Sequence, residues 1–122
     1  NLNAKSYPHW DGLLGLLKEY EIKKIEGILK EQEIIDWVNW CTVWISIDSF
    51  VPHLVAYYKL KRGIVIWGKS DPEIFGYKTN INLLKDRKYL RAEQFKWWKD
   101  EPIDPDVFVS PEIIVEALKT ML

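Results

Sequence analysis

The chain has 122 residues, and 17 Lys and Arg stand against 18 Asp and Glu, for a net charge of −1. That length suits one domain with a real core and is small for a complete two-substrate enzyme. The even charge balance lacks the basic excess of a nucleic-acid-binding surface, so no nucleic-acid partner is expected.

The single cysteine, Cys41, excludes an internal disulfide framework and a thiolate metal cluster. It falls in an apolar helical pattern where a buried, inert thiol is the usual case, and a reducing compartment is the expected setting. No apolar run approaches the roughly 20 residues of a membrane span, and the amino end has no basic-then-apolar signal pattern. A cytoplasmic protein with no membrane span is expected. Its first residue is Asn1 rather than Met, which fits processing or a piece of something longer.

Helix and strand signals alternate along the chain. Leu13, Leu14, Leu16 and Leu17 follow helical spacing behind Asp11, which predicts an amphipathic helix over residues 10–20. Residues 22–28 read as a short strand and its exit. Ile34, Ile35, Trp37, Val38 and Cys41 predict a second helix beginning near Glu31. Two β-branched apolar runs, residues 42–47 and 63–67, read as strands buried on both faces, and residues 51–58 have the length of a crossover helix between them.

Strand, helix, strand with short loops is the parallel βαβ unit, so a Rossmann-like sheet is expected. Residues 80–84 read as a short strand and residues 87–99 as a charged, aromatic helix. Pro102 and Pro105 bracket a loop. Ser110 is able to cap and Pro111 is pre-set for a first turn, so a helix carrying Ile113, Ile114, Ala117, Leu118 and Met121 closes the chain. There is no internal repeat and no low-complexity segment.

The most informative stretch is Asp48-Ser49-Phe50-Val51-Pro52-His53, directly after Val43-Trp44-Ile45-Ser46-Ile47. It places an acid, a hydroxyl and an imidazole where a strand becomes a helix. The first amides of a helix lack intrahelical partners and the macrodipole leaves about half a positive charge there, so this corner suits an anion. In open parallel sheets, ligands also gather at the carboxyl ends of strands. The local residues equally allow Asp48 and Ser49 merely to cap the helix, and His53 to be a capping or surface residue. His9 reads as surface.

Three motifs resemble one family. Lys5-Ser6-Tyr7-Pro8 before a helix, Ile47-Asp48-Ser49 with His53 five residues after the acid, and Gly68-Lys69-Ser70-Asp71-Pro72 with Phe75-Gly76-Tyr77 look like the carboxyl-terminal lobe of heptosyltransferase-type glycosyltransferases. Those enzymes have the GT-B architecture, two Rossmann-like lobes facing across a cleft. The resemblance implies an α/β, three-layer, Rossmann-like lobe with a short parallel sheet flanked by helices. Residues 1–122 then form a single nucleotide-sugar-binding domain, one half of a GT-B fold.

The resemblance further implies that Ser49 and the amides after it contact the donor diphosphate, with His53 adding a donor. It gives Asp48 the loop or a sugar hydroxyl, and Lys5 phosphate charge from the opposite edge. Ser70 and Asp71 line the same cleft. The ligand is a nucleotide-diphosphate sugar and the acceptor is of glycan or lipopolysaccharide type. The acceptor lobe, which this sequence does not contain, supplies the catalytic base, so the isolated chain is not expected to transfer sugar. Phe50 stands where the family often has glycine.

No cofactor or metal is expected, because His9 and His53 are far apart in sequence and no carboxylate cluster has ligand spacing. Gly68-Lys69-Ser70 lacks the upstream glycine and following helix signal of a P-loop. Asp48, Ser49 and His53 lie within six consecutive residues without the flanking glycines of a nucleophile elbow, which excludes a hydrolase triad. Trp37, Trp40 and Trp44 fall at core-like positions. Trp97 and Trp98, set among lysines, are harder to bury, and with Phe50 they favour a second reading, a non-catalytic interaction module that keeps the lobe's fold.

Overall fold

The computed structural model describes residues 3–25, 27 and 29–122. Its elements are α1 (Trp10–Leu16), α2 (Glu31–Trp40), β1 (Ile45–Ile47), α3 (Phe50–Tyr57), β2 (Ile64–Trp67), α4 (Pro72–Phe75), β3 (Ile81–Leu84) and α5 (Pro111–Met121). Three single 3-10 turns, Arg87–Tyr89, Trp98–Asp100 and Pro105–Val107, punctuate the run between β3 and α5.

The three strands form one parallel sheet in the order β1-β2-β3, with Ile45 opposite Ile64 and Ile64 opposite Ile81. Alternation along β2 builds a core on each face. Ile64 and Ile66 pack with Leu13 and Leu17 of the α1 region and Ile114 and Leu118 of α5. Val65 and Trp67 pack with Ile34 and Val38 of α2 and Leu54 and Val55 of α3. All four β2 side chains are buried, which is why this run carries no polar residue, and each contributes about 1.5–3 kcal/mol by leaving water. The result is a three-layer α/β fold with a short parallel sheet between two helical layers.

Two approaches fix how the sheet is closed. A Cβ on Gly63 would fall 2.1 Å from the Trp44 ring, so only glycine lets the indole cover the start of β2. A Cβ on Gly76, where α4 ends, would meet the Pro72 carbonyl oxygen at 2.6 Å and the Trp67 ring at 3.0 Å.

The sequence expectations need five corrections. The first helix stops at Leu16. Gly12 and Gly15 weaken it, and Leu17 reaches the core from a turn in which its amide donates to the Leu14 carbonyl. Residues 21–25 form no strand, since Ile22 and Ile25 are exposed and have no sheet neighbour; Glu26 and Ile28 lie outside the described residues.

The third correction concerns β1, which is three residues long, only half-buried, and an edge of the sheet among the described residues. Fourth, no helix spans residues 87–99. The aromatics at 95, 97 and 98 define no helical stripe, and the Arg91 guanidinium takes the Gln94 and Lys96 carbonyls that a helix would use. Fifth, Trp40 is exposed and Trp37 half-buried, so of the three tryptophans read as core only Trp44 is buried.

Cys41 ends α2 half-buried, its Sγ donating to the Val38 carbonyl, and burial raises the thiol above its usual value. That favours the unreactive thiol over the thiolate. Ser110 precedes α5 without a side-chain cap, while Pro111 takes the first turn as expected. Among the described residues, no helix is long and apolar enough to cross a membrane.

Candidate functional site

Four of the six residues expected to bind ligand, Asp48, Ser49, Ser70 and Asp71, follow the carboxyl ends of β1 and β2, and Lys5 pairs with one of them. Lys5 arrives from a tight turn in which its amide donates to Asn3 Oδ1 (2.8 Å) and the Ser6 amide to the Asn3 carbonyl (3.0 Å). Its Nζ lies 3.1 Å from Asp48 Oδ2, just past β1, and 4.9 Å from the centre of the Trp98 ring. Asp48 is buried, whereas the Lys5 side chain is 29% exposed. The structure therefore joins the first motif to the second through an ion pair open to solvent on the lysine side.

Ser49 holds the N-cap position of α3, but its hydroxyl does not cap. The Oγ turns back to the sheet, donating to the Ile47 carbonyl (3.2 Å) and sharing a hydrogen with Ser46 Oγ (3.2 Å). Pro52, third in the helix, has no N–H to offer. The Phe50 and Val51 amides are thus the helix's uncapped donors. Phe50, the residue most able to close this corner, keeps 58% of its surface exposed.

His53 lies one turn further along α3 and faces neither Asp48 nor Ser49. Its Nδ1 is 2.8 Å from the Tyr77 hydroxyl, with the two rings edge to face at 5.4 Å. Both line an open groove of about 560 Å³ that runs along α3 past Phe50, Leu54 and Tyr57 to Glu31 at the start of α2. At the far end, Glu31 accepts a hydrogen bond from the Tyr58 hydroxyl, which raises the phenol above its usual value.

Ser70 and Asp71, at the exit of β2, are committed internally. Ser70 is 2% exposed, and its Oγ has no hydrogen-bond partner among the described residues. Asp71 caps α4 by accepting from the Glu73 amide (2.9 Å) and takes a two-pronged bond from Arg87 (3.1 and 2.8 Å). The Arg87 hydrogen bonds hold the Asp71 carboxyl below its ordinary range, an effect the Glu73 amide reinforces against partial burial.

A second network, absent from the sequence reading, covers the β2 exit. The Lys69 carbonyl accepts from the Arg91 amide (3.2 Å) and Gln94 Nε2 (2.9 Å), while the Asp71 amide donates to Gln94 Oε1 (2.8 Å). Lys69 Nζ reaches Glu101 (3.2 Å), and the Arg91 guanidinium lies 3.5 Å over Trp98. Trp98 is therefore flanked by Arg91 and by Lys5. The Lys-Ser-Asp run after β2 was visible in sequence, but its partners lie 16 to 33 residues away in an irregular segment with no periodicity to mark it.

Among the described residues no group of three or more His, Cys, Asp or Glu side chains is placed to hold a metal ion. Uncapped amides at the start of α3 carry the positive end of the helix macrodipole, and the partly solvated Lys5 pairs with Asp48, two residues before them. The strand order advances in one direction, so the crevice that a reversal of order opens in doubly wound sheets does not form among the described residues. A ligand here would lie over the β1 exit. Comparison with protein families, curated proteins and solved structures returns no match to this chain.

Proposed function

We propose that the chain is the donor-binding lobe of a heptosyltransferase-like GT-B glycosyltransferase and takes a nucleotide-diphosphate sugar at the exit of β1. The supporting observation is the uncapped amino end of α3 beside the Lys5–Asp48 pair. In this reading the Phe50 and Val51 amides bind one phosphate, Lys5 adds positive charge, and Asp48 holds Lys5 in place or accepts from a sugar hydroxyl. Charge builds on the diphosphate as the sugar departs, and preorganised donors of this kind supply several kcal/mol of stabilisation. The acceptor hydroxyl is activated by a second lobe, so transfer needs that lobe.

Calorimetric titration with nucleoside diphosphates tests the reading. Binding in the micromolar to millimolar range, weakened by Lys5→Ala and by His53→Ala, is the expected result. No heat with any common nucleotide, or an affinity untouched by both substitutions, would refute it.

The second reading, a non-catalytic interaction module, draws on Trp97, which is 81% exposed, as is nearby Phe95; Trp98 is half-buried between Arg91 and Lys5 and gives it no support. Apolar surface left in water at two nearby positions supports contact with another molecule. A silent nucleotide titration favours this reading.

A further inference from the structure

We infer that Tyr77 is a positioning residue for His53: its hydroxyl donates to Nδ1, fixing the imidazole as the Nε2–H tautomer and presenting that N–H to an anionic ligand that extends from the amino end of α3, past Phe50, into the groove. The inference rests on the donor-site reading only for the identity of that ligand, a phosphate group.

The geometry carries it from the core outward. The buried Trp67 indole donates to Asn82 Oδ1 (2.9 Å). That fixes the carboxamide, whose Nδ2 donates to the Tyr77 carbonyl (3.0 Å). The Asn80 amide donates to the same carbonyl (3.1 Å), and Gly76 allows the chain to pass tightly beside Trp67 just before it. The Tyr77 carbonyl is thus held by two hydrogen bonds, while its hydroxyl stands 2.8 Å from His53 Nδ1.

A phenol is the stronger donor of the pair and an unprotonated imidazole nitrogen the stronger acceptor, so the bond runs from Tyr77 to His53. The nitrogen that accepts leaves the other to carry the proton. His53 is exposed on the groove side, so its Nε2–H is available to a ligand. Without Tyr77 the two neutral tautomers compete, and only one of them donates from Nε2.

The chain has only two histidines, His9 and His53, so long-range proton–nitrogen NMR correlation of the labelled protein reads the tautomer directly, with His9→Gln giving the assignment. At about pH 8 the expected spectrum is a single Nε2–H form for His53. Tyr77→Phe, which keeps the ring and removes the hydroxyl, is expected to give a tautomer mixture with the amide spectrum otherwise preserved. A His53 found as Nδ1–H, or unchanged by Tyr77→Phe, would overturn the inference.

Inorganic pyrophosphate then reports on the ligand. Its Kd is expected to rise about threefold to tenfold in Tyr77→Phe, with no added loss when His53→Ala is already present. The expected tautomer without any pyrophosphate effect would support the positioning role of Tyr77 and count against the donor site alone.

Discussion

Lys5 Nζ and Asp48 Oδ2 stand 3.1 Å apart, joining a turn near the start of the chain to the exit of β1. The pair neutralises itself, and this has a measurable consequence if Lys5 serves phosphate. Asp48→Asn removes the competing carboxylate while keeping the side chain's shape, so inorganic pyrophosphate is expected to bind a few-fold tighter. A nucleotide sugar, which also loses an acceptor for its hydroxyls, is expected to gain less or to weaken. Parallel titrations of the two ligands check this. Weaker binding of both would mean that Asp48 is needed to build the site rather than to moderate its charge.

Asp71 and Arg87 form a further ion pair at the sheet's carboxyl end, beside that of Lys69 with Glu101. The Asp71 carboxyl is held below its ordinary value, so the native state favours the ionised form more than the unfolded chain does. Its contribution to stability is therefore fully present above the unfolded value near 3.9, and is lost as pH falls through the native one. Acid titration monitored by circular dichroism is expected to show wild type losing stability below about pH 4, with Asp71→Asn and Arg87→Met flatter across that range. Because the Arg87 side chain is 53% exposed, the difference should shrink in high salt.

Much of this fold was legible where one period dominates a segment. Residues 63–67 read as a doubly buried strand because Ile64, Val65, Ile66 and Trp67 all meet helices, and α5 followed from Pro111 with an apolar stripe behind it. Segments whose residues answer to distant partners did not read correctly. Arg91 and Gln94 serve the carbonyls and amides of a loop and a strand exit, so their spacing follows no secondary-structure period.

At the site, Lys5 with Asp48 were identified from motif positions and proved to touch. The expectation that His53 would join them did not anticipate Tyr77, although Phe75-Gly76-Tyr77 was already in view. A hydrogen bond across 24 residues leaves no trace in local sequence. Ser49 was placed correctly at the helix start, but nothing in sequence tells whether a hydroxyl caps its helix or turns back to the sheet.

Tyr7 links the lysine turn to the core. Its hydroxyl donates to the Val109 carbonyl at 2.9 Å, and burial, with Glu112 nearby, pushes the phenol up to about 12. The folded state thus favours the protonated form, so this contribution is complete below the unfolded value near 10 and is lost as pH rises towards 12. Alkaline denaturation is expected to be steeper for wild type than for Tyr7→Phe over that interval. At neutral pH the same substitution leaves the Val109 carbonyl short of a partner and costs about 1–2 kcal/mol, read from urea midpoints. An unchanged alkaline profile would show that another group controls unfolding there.

Gly63 tests the packing that holds the sheet's first corner. An added methyl would lie 2.1 to 2.6 Å from three carbons of the Trp44 ring, well inside contact distance. The indole cannot swing aside freely, because its Nε1 donates to the Lys61 carbonyl (2.8 Å) and its own carbonyl accepts from the Ile64 amide (3.0 Å). Nor can the strand retreat: Gly63 donates to Asn80 Oδ1 and accepts from the Ile81 amide, which sets the β2-β3 register. Gly63→Ala is therefore expected to cost about 3 kcal/mol or more, at the upper end of overpacking effects. Calorimetric melting should show a drop of roughly 10 °C. Trp44→Leu in the same chain removes the ring the methyl would strike, so the double variant should be clearly less destabilised than the sum of the two singles. Strict additivity would place the cost of Gly63→Ala in the backbone instead of at the indole.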